Sequence, residues 1–176
     1  AERRARGVVV FMHQMGSHGP AYYQRTPAAF KKFLPECTTN ALQQCQREEV
    51  VNAYDNTIAY TDHFLASTID WLKTREAQWA PALVYVSDHG ESLGENGMYL
   101  HAAPYAVAPK EQTHVPMIFW ASENWYRHTG VSAACMKQSA DKAYSHDNWF
   151  HSVLGINDVH TQAYQRDLDI FAACRS

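Results

Sequence analysis

ALVYVSDHGESLGENGMYLH, residues 82–101, is the stretch on which the reading of this chain turns. Ala82–Val86 is a short apolar run rich in β-branched and aromatic residues, the composition of a buried strand. It leads straight into Ser87, Asp88, His89 and Gly90. A strand that ends in a carboxylate, an imidazole and a glycine turn is a common way for α/β enzymes to present metal ligands. Neighbouring residues of a strand point to opposite faces, so Asp88 and His89 can meet one ion only if the chain turns there, and Gly90 supplies that freedom. His101 follows twelve residues later, after Gly94 and Gly97, which let the loop fold back.

A second apolar run, Val8–Met12, also leads into a His- and Gly-rich loop, His13-Gln-Met-Gly-Ser-His-Gly-Pro20. Between the two runs lies a turn-rich excursion with Pro27 and Pro35, reaching about Gln46. Val51, Tyr54, Ile58, Thr61, Leu65, Ile69 and Leu72 then recur every three or four residues, which predicts an amphipathic helix over about 48–75. Strand, helix and strand make a βαβ unit. The two strands are expected to lie parallel, with both His-bearing loops at the carboxyl edge where open α/β sheets bind ligands.

After His101 a loop with Pro104 and Pro109 precedes a third expected strand, Val115–Trp120, with Pro116 tolerable near its start. Residues 122–140 are polar and weakly patterned. Ser145 suits an N-cap for a helix carrying Trp149, Phe150, Val153 and Leu154, with Asp147 in its first turn. A last short helix is expected from Asp167 to Cys174. No repeat or low-complexity tract is present in the sequence.

The 176 residues are enough for one domain, which would bury roughly 70% of its unfolded surface. Hydrophobic residues at 46% and charged residues at 19% describe a globular chain. A formal net charge of −3 offers nucleic acid no electrostatic footprint, and Arg3, Arg4 and Arg6 are too few to change that. No window approaches the ~18 consecutive apolar residues of a membrane span. The chain starts without Met and enters a strand within a few residues, so it reads as a piece of a longer protein.

Four Cys permit two disulfides. Cys37 and Cys45 suit a local staple worth about 2.5 kcal/mol, and Cys135 with Cys174 is the remaining pairing; the alternative is four independent thiols. Zinc held by Cys is disfavoured because no Cys-x-x-Cys occurs. Bridged cysteines would mean an oxidising compartment, the periplasm or the cell exterior.

Asp88 and His89 offer a hard oxygen beside an imidazole nitrogen, a pair suited to Zn²⁺ or Mn²⁺ in a phosphate-handling site. The plainer reading is an N-cap Asp and a strand-end His. His101 and His18 each either ligate a metal, contact a phosphate oxygen or cap a turn, and His13 is expected to pack beside its strand. Glu91 and Glu95 are either acceptors for imidazole N–H groups or solvated loop charges. Lys110, Glu111 and His114 read as structural charges, while His63, His128, His146, His151 and His160 read as surface or packing residues. No Gly-x-Ser-x-Gly elbow, P-loop or HExxH helix is present, which leaves metal-assisted group transfer around a tetrahedral oxyanion.

HQMGSHGPAYYQR, NAYDNTIAYTDHFLASTIDWL, SDHGESLGENGMYLHAAPYAVAPKEQTHVPMIFW and SHDNWFHSVLG together resemble the phosphoethanolamine transferases of the alkaline phosphatase and sulfatase superfamily. The closest look is to the lipid A branch, which includes the mobile colistin resistance enzymes. The resemblance runs from Val8 almost to the end, weakening at 122–142. It implies an α/β fold of the alkaline phosphatase/sulfatase type, a parallel-sheet sandwich with helices on both faces, present here as a partial domain. It implies Asp88 and His89 as ligands of a tightly bound zinc, with His18 and His101 on the substrate phosphate or a second zinc. The Cys37–Cys45 pair matches a disulfide of the family's periplasmic domain.

In such enzymes a threonine activated by zinc attacks phosphatidylethanolamine, releases diacylglycerol and passes phosphoethanolamine to lipid A. That threonine and a glutamate ligand lie upstream of the matched region, with the membrane helices. The resemblance therefore implies the C-terminal part of a periplasmic catalytic domain, inactive alone, with an unpaired sheet edge. Rival readings are transfer to another envelope glycan, a sulfatase or phosphodiesterase using water, and a non-catalytic binding module.

Overall fold

The computed structural model describes residues 7–175. In chain order the elements are α1 (Arg47–Lys73), β1 (Ala82–Val86), β2 (Ser92–Leu93), β3 (Tyr99–Leu100), α2 (Lys110–Thr113), β4 (Met117–Ala121), α3 (Glu123–Thr129), α4 (Ala133–Gln138) and α5 (His146–Ile156). They divide into two compact units. The first comprises the chain up to Leu65 with Gly90–Thr113, and the second Ala66–His89 with the chain from His114 onward.

The first unit is built on the part of α1 up to Leu65; the whole helix starts with Glu48 and Glu49 and ends with Lys73, the charge order that the helix dipole favours. The helix spans almost the predicted range and Leu65 of the predicted face is buried, but over its first half the buried face is rotated. Val50, Ala53, Asn56 and Thr57 are buried, while Ile58 is 47% exposed. The reason is polar. The side chain of Asn56, fully buried, accepts from Lys32 N (2.7 Å) and Phe33 N (2.9 Å) and donates to Phe33 O (2.9 Å), so the irregular segment beside it has its backbone groups met. Val50 and Ala53 pack with Tyr22, Leu42 and Cys37, and the Cys37–Cys45 disulfide closes this core. Strands β2 and β3 pair antiparallel, Ser92 opposite Leu100, across a turn in which Gly94 and Gly97 take positive φ (112° and 75°).

The second unit centres on β1 and β4, paired antiparallel with Val84 opposite Phe119. Phe119 packs edge-on against Trp125 (5.2 Å between centroids) and Phe171 (4.9 Å), the arrangement ring quadrupoles prefer. Cys135–Cys174 closes this second core, so both expected disulfides are present. Ser145 caps α5 in a reciprocal capping box with Asn148, as its sequence suggests.

Four expectations are corrected. Val8–Met12 forms no strand, and its five side chains are 55–76% exposed. A strand persists only where a neighbour meets its N–H and C=O groups, and among the described residues Val8–Met12 has no ladder partner. The parallel βαβ pairing is accordingly not seen, and both ladders among the described residues are antiparallel. The third strand begins at Met117 rather than Val115, because Pro116 brings no N–H to the ladder and instead accepts from Ser87 N (3.3 Å). The helix expected over 167–174 is two 3₁₀ turns, Arg166–Leu168 and Ala172–Cys174. The Asp169 carboxylate between them takes Phe171 N (2.9 Å) and the Tyr164 hydroxyl (2.7 Å).

Residues 122–140, unpatterned in sequence, form α3 and α4, each N-capped by a serine, Ser122 and Ser132. Among the described residues no helix is long and apolar enough to cross a membrane. Trp125 sits at the middle of the second core, 7% exposed, so Trp125→Ala is expected to lower the unfolding free energy by about 3–5 kcal/mol in a urea titration.

Candidate active site

In the first unit, one carboxylate gathers two loops. The Glu91 side chain is 3% exposed. Its Oε1 accepts from Gly19 N (3.1 Å) and meets His101 Nδ1 (3.0 Å), while its Oε2 accepts from the Tyr22 hydroxyl (3.0 Å). Burial first, then the charge of Glu91, pushes the Tyr22 phenol well above its ordinary range, so it stays a donor. The His18 and His101 rings stand edge to face, 5.0 Å between centroids.

Both loops are held tightly. His18 N bonds Met15 O (3.0 Å), Arg25 Nε bonds His18 O (3.1 Å), and the hydroxyls of Thr57 and Ser17 meet at 2.6 Å. A Cβ on Gly19 would stand 2.5 Å from Leu100 Cδ2 and 2.7 Å from Tyr22 Oη, so only glycine lets the His18 loop approach the His101 loop. His101 itself lies between two non-glycine residues with positive φ, Leu100 (66°) and Ala102 (77°), a strained backbone that its surroundings must impose. Beyond them, Gln112 holds Ser92 Oγ (2.9 Å) and Ala103 N (3.3 Å) through its side chain and Gly90 N (2.9 Å) through its carbonyl.

The proton positions on the two imidazoles follow from their partners. His18 Nδ1 lies 2.6 Å from the carbonyl of Gly19, which can only accept, so Nδ1 carries the proton. His101 Nδ1 faces Glu91 Oε1, which also accepts from Gly19 N, with the same result. In the neutral state both rings therefore carry their lone pair on Nε2, the form that ligates a cation; when doubly protonated, the same nitrogens donate to an oxyanion.

In the second unit, Asp88 and His89 follow β1. The Asp88 side chain is 79% exposed and that of His89 is 31% exposed. Asp88 Oδ1 accepts from His89 N (3.1 Å), and the Ser87 hydroxyl donates to His89 O (2.8 Å). His146, at the start of α5, reaches back with Nε2 to Ser87 O (2.8 Å) and braces the residue ahead of the pair. Burial, followed by the Asp88 charge, raises the Tyr85 phenol, so no second anion competes beside this carboxylate.

Each unit offers residue types that fit a divalent metal: the first, imidazoles whose Nδ1 protons are committed elsewhere, and the second, an exposed carboxylate beside an imidazole. Glu91 is the imidazole acceptor expected of it, whereas Glu95 binds Leu93 N (2.6 Å) and Arg47 (3.2 Å) instead. His13 is exposed rather than packed, because the segment before it has no sheet to lean on. His151 is a packing residue, buried and accepting from Gln165 N (3.0 Å). Tyr22, Gly19 and Gln112 are not singled out by the sequence, and His146, read there as a surface or packing residue, bonds Ser87 O. The Tyr22–Glu91 and Gly19–Glu91 contacts span 69 and 72 residues, and no local pattern signals them.

A family model described as Sulfatase matches residues 2–159, and the chain belongs to that family. Its fold is the alkaline phosphatase/sulfatase type. Within the family it is similar to the phosphoethanolamine transferase EptA of Salmonella typhimurium, 47% identical over 95% of this chain and 31% of that protein. It is also similar to the phosphatidylethanolamine transferase Mcr-1 of Escherichia coli, 42% identical over 90% of this chain and 28% of that protein. The solved soluble domain of lipooligosaccharide phosphoethanolamine transferase A from Neisseria meningitidis superposes with a TM-score of 0.89 at 51% identity, covering 93% of this chain and 49% of that one. The chain thus spans about a third of the length of the curated relatives it matches. The resemblance to phosphoethanolamine transferases read from the sequence holds.

A Cβ at Gly90 would stand 2.0 Å from the backbone carbonyl of Glu111, which cannot swing aside. Gly90→Ala is therefore expected to destabilise the first unit by about 1–3 kcal/mol, read as a shift in the urea midpoint.

Proposed function

We propose that the complete protein transfers phosphoethanolamine from phosphatidylethanolamine to a phosphate of lipid A at the periplasmic face of a bacterial inner membrane. These 176 residues are then the C-terminal portion of its soluble catalytic domain, with the membrane anchor elsewhere in the protein. The observation that carries the reading is the imidazole pair, His18 and His101, set around one buried carboxylate in a chain 51% identical to a lipooligosaccharide phosphoethanolamine transferase. Two disulfides, one in each unit, accord with an oxidising compartment.

Asp88 and His89 would hold a zinc ion, which when bound would lower the pKa of the attacking hydroxyl and offset the negative charge of the phosphate. His18 and His101 contact the phosphate of the donor or a second zinc through Nε2. The nucleophile is a threonine from sequence outside these residues. Its oxygen forms a bond to the phosphorus of phosphatidylethanolamine as the bond to the glycerol oxygen breaks, and diacylglycerol leaves with a proton. A lipid A phosphate then attacks the same phosphorus and restores the threonine. Lipid A that gains an ammonium in this way attracts cationic polymyxins less, so the protein confers resistance to colistin.

Mass spectrometry of lipid A from cells with and without the complete protein tests the acceptor: added phosphoethanolamine supports the reading, and unmodified lipid A beside a modified core sugar contradicts it. Separately, Asp88→Ala and His89→Ala are each expected to lower bound zinc, measured by elemental analysis, by about 10-fold or more while leaving the fold intact.

A further inference from the structure

We infer that Glu91 is a positioning residue: it fixes His101 as the Nδ1–H tautomer and, through Gly19, ties the His18 loop to the same carboxylate, so that two Nε2 atoms are presented together. The role rests on the proposed chemistry only in what the imidazoles act upon. The placement stands on Glu91's own contacts.

Four observations converge on it. Glu91 is 6% exposed, and burying a carboxylate is unfavourable unless donors surround it. Three donors do: Gly19 N, the Tyr22 hydroxyl and His101 Nδ1. Two of them come from one loop and the third from the other, so the carboxylate is satisfied only when the loops are together. His101 sits between residues in left-handed backbone, a geometry that needs an external hold, and Glu91 grips its ring. The β2–β3 pairing places Ser92, the residue after Glu91, opposite Leu100, the residue before His101, so holder and held are registered by the same ladder.

A tautomer is a property that packing alone does not set. Without an acceptor at Nδ1, an imidazole can carry its proton on either nitrogen, and an Nε2–H ring cannot ligate a cation. Glu91→Gln keeps the acceptor. Its Oε1 accepts from Gly19 N and His101 Nδ1, and its amide donates to Tyr22 Oη, whose lone pairs can accept. Glu91→Ala removes it.

The test is histidine side-chain ¹⁵N NMR on the intact chain at about pH 8, above the ordinary imidazole pKa, with the His101 signal assigned by its loss in His101→Asn. In the parent and in Glu91→Gln, His101 is expected to be Nδ1-protonated. In Glu91→Ala the Nε2–H form is expected to become the major one. In the complete protein, transfer should fall about 10- to 100-fold in Glu91→Ala, mostly in kcat, with Glu91→Gln recovering most of it. A parent His101 protonated on Nε2, or an Nδ1–H tautomer that persists in folded Glu91→Ala, overturns the inference. The parent spectrum is decisive even if Glu91→Ala fails to fold. An Nδ1–H parent tautomer lost in Glu91→Ala, in a protein that shows no transfer, supports the positioning role while refuting the transferase reading.

Discussion

A carboxylate buried without donors costs several kcal/mol, and Glu91 of this chain is buried with three. Much of the first unit can be understood as what that one group requires. Tyr22 must lie in the core with its hydroxyl pointing out of it, and it does, between Tyr54 and the carboxylate. Gly19 must lack a side chain so that its amide can reach Oε1. The strand pairing of Ser92 with Leu100 must bring the loop back. The two imidazoles are then neighbours as a consequence of a satisfied charge.

The two units share a plan at the level of physics. Each has a small core, of Tyr22, Leu42, Val50 and Ala53 in one and of Phe119, Trp125, Val131 and Phe171 in the other. Each core is closed by a disulfide, the usual remedy where a small core leaves little hydrophobic stabilisation in hand. The second unit delivers Asp88 and His89 from the turn after β1, and the first delivers His18 from an irregular loop and His101 from the turn after β3, both held by hydrogen bonds. Val8–Met12 is an apolar run that the described structure leaves exposed, the composition of a strand without its ladder.

Much of this was legible in the chain. Periodicity located α1 to within two residues at each end, and the apolar run at 82–86 is β1. The even cysteine count and spacing pointed to both disulfides, and Ser145 to the start of α5. What failed did so for want of long-range information. An apolar pentapeptide such as Val8–Met12 reads as a strand whether or not a partner exists, and strand direction is set by what lies beside it. The buried face of α1 follows Asn56, a polar residue serving another segment's backbone, which a hydrophobic pattern cannot see. Among site residues, Glu91 was visible as a possible acceptor for an imidazole N–H, but Glu95 looked equivalent to it. Only the folded chain separates them, one turned inward to Tyr22 and His101, the other to Arg47.

A sulfatase-family site can serve either covalent transfer of phosphoethanolamine, the activity proposed for the complete protein, or hydrolysis. Intact-mass spectrometry of the complete protein after incubation with phosphatidylethanolamine, in the absence of acceptor, distinguishes them directly. Covalent transfer gives a stoichiometric phosphoethanolamine adduct that disappears when lipid A is added. Turnover of phosphatidylethanolamine with free phosphoethanolamine accumulating and no adduct on the protein would contradict it.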